Sequence, residues 1–443
     1  MAQTSARANH KHPGPGAREA RVRGARSWIV RGARILGPGV ITGASDDDPS
    51  GVATYAVAGA SLGLATLWTA LFTVPMMAAV QFISAKVGLA TGRGLTAALR
   101  SRYPAWAVSA AVFGLAVANT INAGADIGAV AAAFNLMIPV PTAAMIVPIA
   151  AAIVALLVWG TYPAFAAALR WMSLLLLAYA GSAFLAHPPW PEVLLATAVP
   201  RVRLDGQFLS VLVAVLGTTI SPYMWFWQAS QEVEEREAIG ERRLWQRHGV
   251  SRRELAYAAW DVDVGMLFSN VVMYFIILAT ASTLHRAGHT TITSAAQAAE
   301  ALRPLAGSLA TWLFAIGLAS AGLIAIPVLL GSAAYAVGEL FGWRTGLGER
   351  PGRARGFYAV IVVATAVGML INFTGINPID ALFVTALING FLTPPILVLL
   401  MLAANNRAIM GTRVNGPLLN AIGWGTTAVM TAAVVGLILT WKS

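Results

Sequence analysis

"GASDDDPSG", residues 43–51, sets three carboxylates and a proline inside an otherwise apolar stretch. An aspartate facing lipid at mid-membrane costs about 2.5–3.5 kcal/mol, so three adjacent ones must face water, hydrogen-bond donors or a cation. A second interruption, "GTTISPY" at residues 217–223, again puts a proline inside an apolar run. Pro49 disfavours helical geometry at Asp48, and Pro222 does the same at Ser221, so each helix is expected to unwind just before its proline. Gly51 and Gly217 are expected to loosen the flanks.

The surrounding composition makes the solvent of these breaks a bilayer. Of 443 residues, 57% are hydrophobic and only 11% charged, and the mean hydropathy is +0.69; a soluble domain carries about 25% charged residues. There is no cysteine, which excludes disulfides, thiolate metal ligands and cysteine nucleophiles.

Eleven apolar runs are long enough to cross a hydrocarbon core of about 30 Å. They lie near 36–62, 66–91, 105–136, 141–160, 168–187, 207–231, 261–284, 305–337, 356–374, 378–404 and 417–440. Residues 1–35 lack the apolar core and cleavage site of a signal peptide and read as a basic cytoplasmic tail. With that tail inside, 25 of the 30 Lys and Arg residues fall on the cytoplasmic side and 5 on the other. That bias reads as an inner-membrane, multi-pass protein with a cytoplasmic N-terminus and not as a nucleic-acid binder, despite the net charge of +11.

An odd number of helices per half makes the halves enter the membrane from opposite sides. The expected organisation is a first five-helix repeat over 36–187, an external loop over 188–206, a second, inverted repeat over 207–404, and an additional C-terminal helix over 405–443. Both interruptions then fall near the bilayer midplane, and paired breaks in inverted halves point to a transporter's substrate site. Unwound carbonyls and the negative end of a half-helix attract cations, and Asp48 sharpens the attraction.

"GPGVITGASDDDPSGVATYAVAGA", from Gly37 to Ala60, resembles the first helix of the natural resistance-associated macrophage protein (NRAMP) family, whose motif there is Asp-Pro-Gly-Asn. Thr218 to Met224 resembles the family's sixth-helix Ala-Thr-Val-Met-Pro-His-Asn, and "GADI", Gly124 to Ile127, a third-helix element. The resemblance implies an all-α membrane protein of about eleven transmembrane helices. Its fold would be a LeuT-like inverted 5+5 repeat, with helices one and six broken and one helix added. It implies divalent-metal transport, with the ion held by Asp48, Gly51, Thr218 and Ser221 in the family's ligand places. Asp46, Asp47, Ser50, Tyr223, Met224 and Gln228 are candidate lining residues.

The departures from the motif carry the substrate expectation. The family's first-helix Asn is Gly51 here and its sixth-helix Met is Ser221. Losing a soft thioether removes a means of favouring transition metals over Mg²⁺, and losing the amide widens the site. An oxygen-only, acid-rich pocket suits a partly hydrated Mg²⁺. These substitutions are similar to the divergent NRAMP-related magnesium transporter branch, implying Mg²⁺ and Mn²⁺ as substrates.

For protons, Asn119 stands where the family has a glutamate seven residues before Asp126, and Tyr223 and Gln228 stand in the histidine places. All six histidines lie in the tail, loops or segment ends. Transport is therefore expected to be weakly proton-coupled or uncoupled, with Asp126 and Asn119 as the candidate proton pathway. The alternatives are a proton-coupled Mn²⁺/Fe²⁺ symporter and a cation-coupled organic solute carrier, whose anionic substrate Asp48 would repel. An intramembrane aspartyl protease lacks its Gly-x-Gly-Asp element here, and no enzymatic activity is expected.

Of the remaining polar features, 232–255 reads as a cytoplasmic amphipathic connection, with Glu232 and Glu235 near an inner vestibule. Asp261 and Asp263 are expected to open and cap segment seven, and Asp380 to be a first-turn helix acid. Trp68, Trp106, Trp190, Trp343 and Trp424 fit an interfacial belt. No cofactor beyond the transported ion is implied. The partners are the ion and the lipid bilayer; the sequence does not set the oligomeric state, and a monomer is compatible with it.

Overall fold

The structure is a computed structural model that describes residues 37–160, 174–238, 240, 241 and 243–440. The basic tail, residues 168–173 of the fifth apolar run, and 441–443 lie outside the described residues. Among the described residues there is no strand.

The first apolar run is two helices, α1 (Pro38–Asp46) and α2 (Pro49–Leu62). Then come α3 (Trp68–Thr91), α4 (Ala105–Met137) and α5 (Thr142–Trp159). The described part of the fifth run contains a 3₁₀ turn, Leu174–Leu177, and α6 (Ala178–Leu185). The connection that follows is partly helical, over Trp190–Ala198. The sixth run is broken into α7 (Gly206–Thr219) and α8 (Pro222–Ala238). The remainder are α9 (Arg252–Thr280), α10 (Ala310–Phe341), α11 (Arg355–Leu370), α12 (Pro378–Asn405) and α13 (Pro417–Thr440). Counting α7 with α8 as one, nine helical stretches among the described residues are long and apolar enough to span a membrane.

Both breaks occur where the prolines put them. Asp48 is extended (φ −64°, ψ 167°) and caps α2, with Pro49 in the first turn. Ile220 leaves the helical region (φ −115°, ψ 61°) at the end of α7. The adjacent glycines act differently from expectation. Gly217 has no positive φ; a Cβ there would lie 2.3 Å from the Ala386 carbonyl and 2.4 Å from the Gly390 nitrogen, so it permits contact between α7 and α12. Gly43 does the same for α1 and α9, where a Cβ would lie 2.2 Å from the Gly265 carbonyl. These close contacts hold the two broken helices against unbroken ones and fix the breaks in space.

The start of segment seven corrects the sequence reading. α9 begins at Arg252, capped by Ser251 in a reciprocal box with Glu254. Asp261 and Asp263 therefore lie in its interior and do not cap it. The Asp261 carboxylate instead accepts from the Gly39 backbone N–H at 2.6 Å, capping the first turn of α1 across the helix interface. Asp263 is exposed. Asp380 lies in the first turn of α12, as expected.

Candidate metal-ion site

Asp46, Asp47 and Asp48 are all buried, at 1% exposure or less. Asp48 is the best satisfied. Its Oδ1 accepts from the Gly51 N–H at 2.6 Å and the Ser50 hydroxyl at 2.8 Å. Its Oδ2 accepts from the Asn122 side-chain amide on α4 at 3.1 Å. The capping geometry thus fixes the carboxylate at the gap between α1 and α2.

The second break reaches the same point. A Cβ built on Gly51 would meet the Asp46 carbonyl at 3.1 Å, Asp48 Oδ1 at 3.3 Å and the Thr218 hydroxyl at 3.3 Å. The three nearest atoms are therefore all oxygens, drawn from both broken helices. Ser221 turns its hydroxyl back to the Gly217 and Thr218 carbonyls, at 2.6 and 2.9 Å, satisfying groups that the break frees. Its hydroxyl oxygen keeps its lone pairs for an ion. Tyr223 ties the breaks together by donating to the Ser45 carbonyl at 3.0 Å, and Tyr55 meets the Thr219 hydroxyl at 3.0 Å.

Asp46 and Asp47 turn away from this ring toward α9, where the Ser269 hydroxyl bonds Asp46 Oδ2 and lies 3.1 Å from Asp47 Oδ1. Asp46 Oδ1 and Asp47 Oδ2 have no hydrogen-bond partner. Asp126, on α4, interacts electrostatically with Asp48 and points at the Ser50 backbone N–H. The geometry closes no hydrogen bond to either of its oxygens. The four ion pairs among the described residues are Arg203–Asp205, Arg236–Glu254, Arg247–Glu237 and Arg303–Glu300, so none neutralises these four acids. Among the described residues, no three acidic or histidine side chains converge on one point. Any ion here is held by a carboxylate with carbonyls, hydroxyls and water, and the excess acidic oxygen favours a cation.

The other candidates sit further away. Met224 is buried in the hydrophobic core. Gln228 accepts from Thr42 at 2.7 Å and from Gln81 at 3.2 Å and donates to Glu232 at 2.9 Å, latching α8 to α1 and α3 rather than facing the ring. Asn119 donates to the Leu329 carbonyl at 3.0 Å and the Ser332 hydroxyl at 3.3 Å, bridging α4 to α10.

Sequence reading missed Asn122, Ser269 and Asn389. Asn122 was recoverable, because Asn119, Asn122 and Asp126 repeat at helical spacing on one face. Thr385, Asn389 and Thr393 form a similar stripe on α12, where Thr393 bonds the Ile220 carbonyl at 3.1 Å. Ser269 has no such signal. A cavity of about 140 Å³, mostly apolar, has Pro49 in its wall together with Thr293, Asn377 and Ile379. It connects the neighbourhood of the first break to the face that carries the 286–309 and 371–377 connections.

Comparison with known proteins decides the ancestry. The model of the natural resistance-associated macrophage protein-like (Nramp) family matches residues 39–440. The chain belongs to the Nramp family. The Nramp chain is 26% identical over 412 residues to a protein of Klebsiella pneumoniae named divalent metal cation transporter MntH, covering 90% of this chain and 92% of that one. A Pectobacterium carotovorum protein of the same name is 27% identical over 403 residues, covering 88% and 90%. In structure the chain resembles the Eremococcus coleocola manganese transporter, with a TM-score of 0.67 at 17% identity over 91% of this chain and 85% of that one. A nucleobase-cation-symport-1 family transporter in a closed conformation gives 0.52 at 16% identity over 91% and 93%. The Nramp chain thus has the LeuT-like architecture of broken helices packed among unbroken ones.

Proposed function

We propose that this Nramp chain carries divalent metal ions, Mg²⁺ and Mn²⁺, across the membrane as partly hydrated ions by alternating access, weakly or not coupled to protons. The names of its relatives support divalent-metal transport. The observation that carries the choice of ion is the oxygen-only ring around Gly51: the Asp46 carbonyl, Asp48 carboxylate and Thr218 hydroxyl. Hard oxygen ligands with water retained suit Mg²⁺ and Mn²⁺, whereas a thioether would favour softer ions. Asp48, Gly51, Thr218 and Ser221 are assigned to the ion, and Asp46, Asp47 and Ser50 to its surroundings. The reading places the chain with the magnesium-transporting branch of the family, as two inverted five-helix halves with a cytoplasmic N-terminus.

Weak coupling rests on Asn119 and Gln228, amides in positions where a proton carrier would need a titrating group. One observation favours the proton-coupled Mn²⁺/Fe²⁺ alternative: Asp126, a buried acid without a closed hydrogen bond, lies beside Asp48. The test is uptake of Mg²⁺ and Mn²⁺ into proteoliposomes containing wild type or Asp48→Ala. Saturable uptake of both ions, lost in the variant, supports the proposal; Mg²⁺ exclusion by wild type contradicts it.

A further inference from the structure

We propose that Asn122 on α4 contacts the transported ion and sets its selectivity, supplying the side-chain amide oxygen that position 51 lacks. The inference rests on the divalent-metal reading above and adds a ligand to that site. Three observations lead to it. Asn122 is 1% exposed and donates from Nδ2 to Asp48 Oδ2 at 3.1 Å, so its carboxamide abuts the carboxylate assigned to the ion. Its Oδ1 has no hydrogen-bond partner, although a buried amide oxygen ordinarily finds one. Position 51 is glycine and contributes no side chain.

The orientation follows from charge. Facing a bare carboxylate, an asparagine presents its NH₂; facing a carboxylate that holds a cation, it presents its oxygen. The change needs only a half-turn about the last side-chain torsion, which is broad and roughly two-fold. That half-turn brings Oδ1 to where Nδ2 now lies, 3.1 Å from Asp48 Oδ2. Two ligands adjacent on an octahedron with bonds of about 2.1 Å are about 3.0 Å apart, so one ion of Mg²⁺ size could be gripped by both oxygens. The neighbouring residues of α4 fit the same preference for a cation. Asn119 Oδ1 and both oxygens of Asp126 also lack partners, so this face of the helix presents acceptors without donors.

A residue that only positions Asp48 would behave differently from one that touches the ion, and selectivity separates the two. Uptake of Mg²⁺, Mn²⁺ and Cd²⁺ is measured in proteoliposomes for wild type, Asn122→Ala, Asn122→Asp and Asn122→Met. Loss of one ligand in Asn122→Ala is expected to raise KM for Mg²⁺ about tenfold, whereas Asn122→Asp, which keeps oxygen donors, retains uptake. Asn122→Met places a thioether at the ion and is expected to raise the Cd²⁺-to-Mg²⁺ uptake ratio about tenfold or more. If Asn122→Ala yields no folded protein, the Asp and Met variants decide. Wild-type KM and an unchanged Cd²⁺-to-Mg²⁺ ratio in the variants overturn the assignment of Asn122 alone. A wild type that moves no divalent ion overturns the transport reading and the inference with it.

Discussion

Gly51→Ala probes the ring most sharply, because the added methyl group would enter the space that the ring encloses. Its carbon would start 3.1 Å from the Asp46 carbonyl and 3.3 Å from both Asp48 Oδ1 and the Thr218 hydroxyl, closer than ordinary van der Waals contact. The oxygens must retreat by about 0.3 Å, and the overpacking costs about 1–3 kcal/mol. For a divalent ion about 2.1 Å from a carboxylate oxygen, a 0.3 Å retreat at an effective dielectric of about 20 removes about 2 kcal/mol of attraction. That is roughly thirtyfold in affinity before the methyl's own bulk is counted. The assay is Mg²⁺ uptake over a range of concentrations in proteoliposomes, with thermal stability of the purified protein measured in parallel. The expected result is folded protein whose KM for Mg²⁺ rises at least tenfold. Wild-type KM and maximal rate in Gly51→Ala would refute the placement of the ion at this ring.

Other consequences follow from single contacts. Ser269→Ala removes the hydroxyl shared by Asp46 and Asp47; one O–H satisfies one oxygen at a time, so about 1.5–3 kcal/mol of stability should be lost, read as a lower denaturation midpoint. Gly43→Ala sets a Cβ against the Gly265 backbone, which cannot yield as a side chain would; size-exclusion chromatography should show loss of monodisperse protein. Gln228→Leu breaks the bonds to Thr42, Gln81 and Glu232. Because the chain has no cysteine, a single Cys introduced at Thr42 reports on the latch, and its maleimide labelling should accelerate several-fold over the Gln228 background.

The breaks were legible because proline acts locally: Pro49 and Pro222 constrain the residue before them whatever surrounds them. The family motif was legible for the same reason, being contiguous at Asp48–Gly51 and Thr218–Met224. The start of α9 was misread because its first turn, Arg252, Arg253 and Glu254, is charged and was taken with the preceding connection. Ser251 and Glu254 carried the capping-box spacing that would have placed it. Ser269 was illegible, since its role depends on α9 packing against α1 across 223 residues of chain. Gly217 shows the same limit: backbone freedom is a local inference, whereas its observed use, contact with Gly390, depends on the packing of α7 and α12.

The most direct test of an oxygen-only, weakly coupled site is Mg²⁺ uptake by the wild-type protein in liposomes that also contain an internal pH dye. The account predicts saturable Mg²⁺ entry with little or no acidification. Mn²⁺ entry accompanied by acidification, with no Mg²⁺ flux, would contradict it.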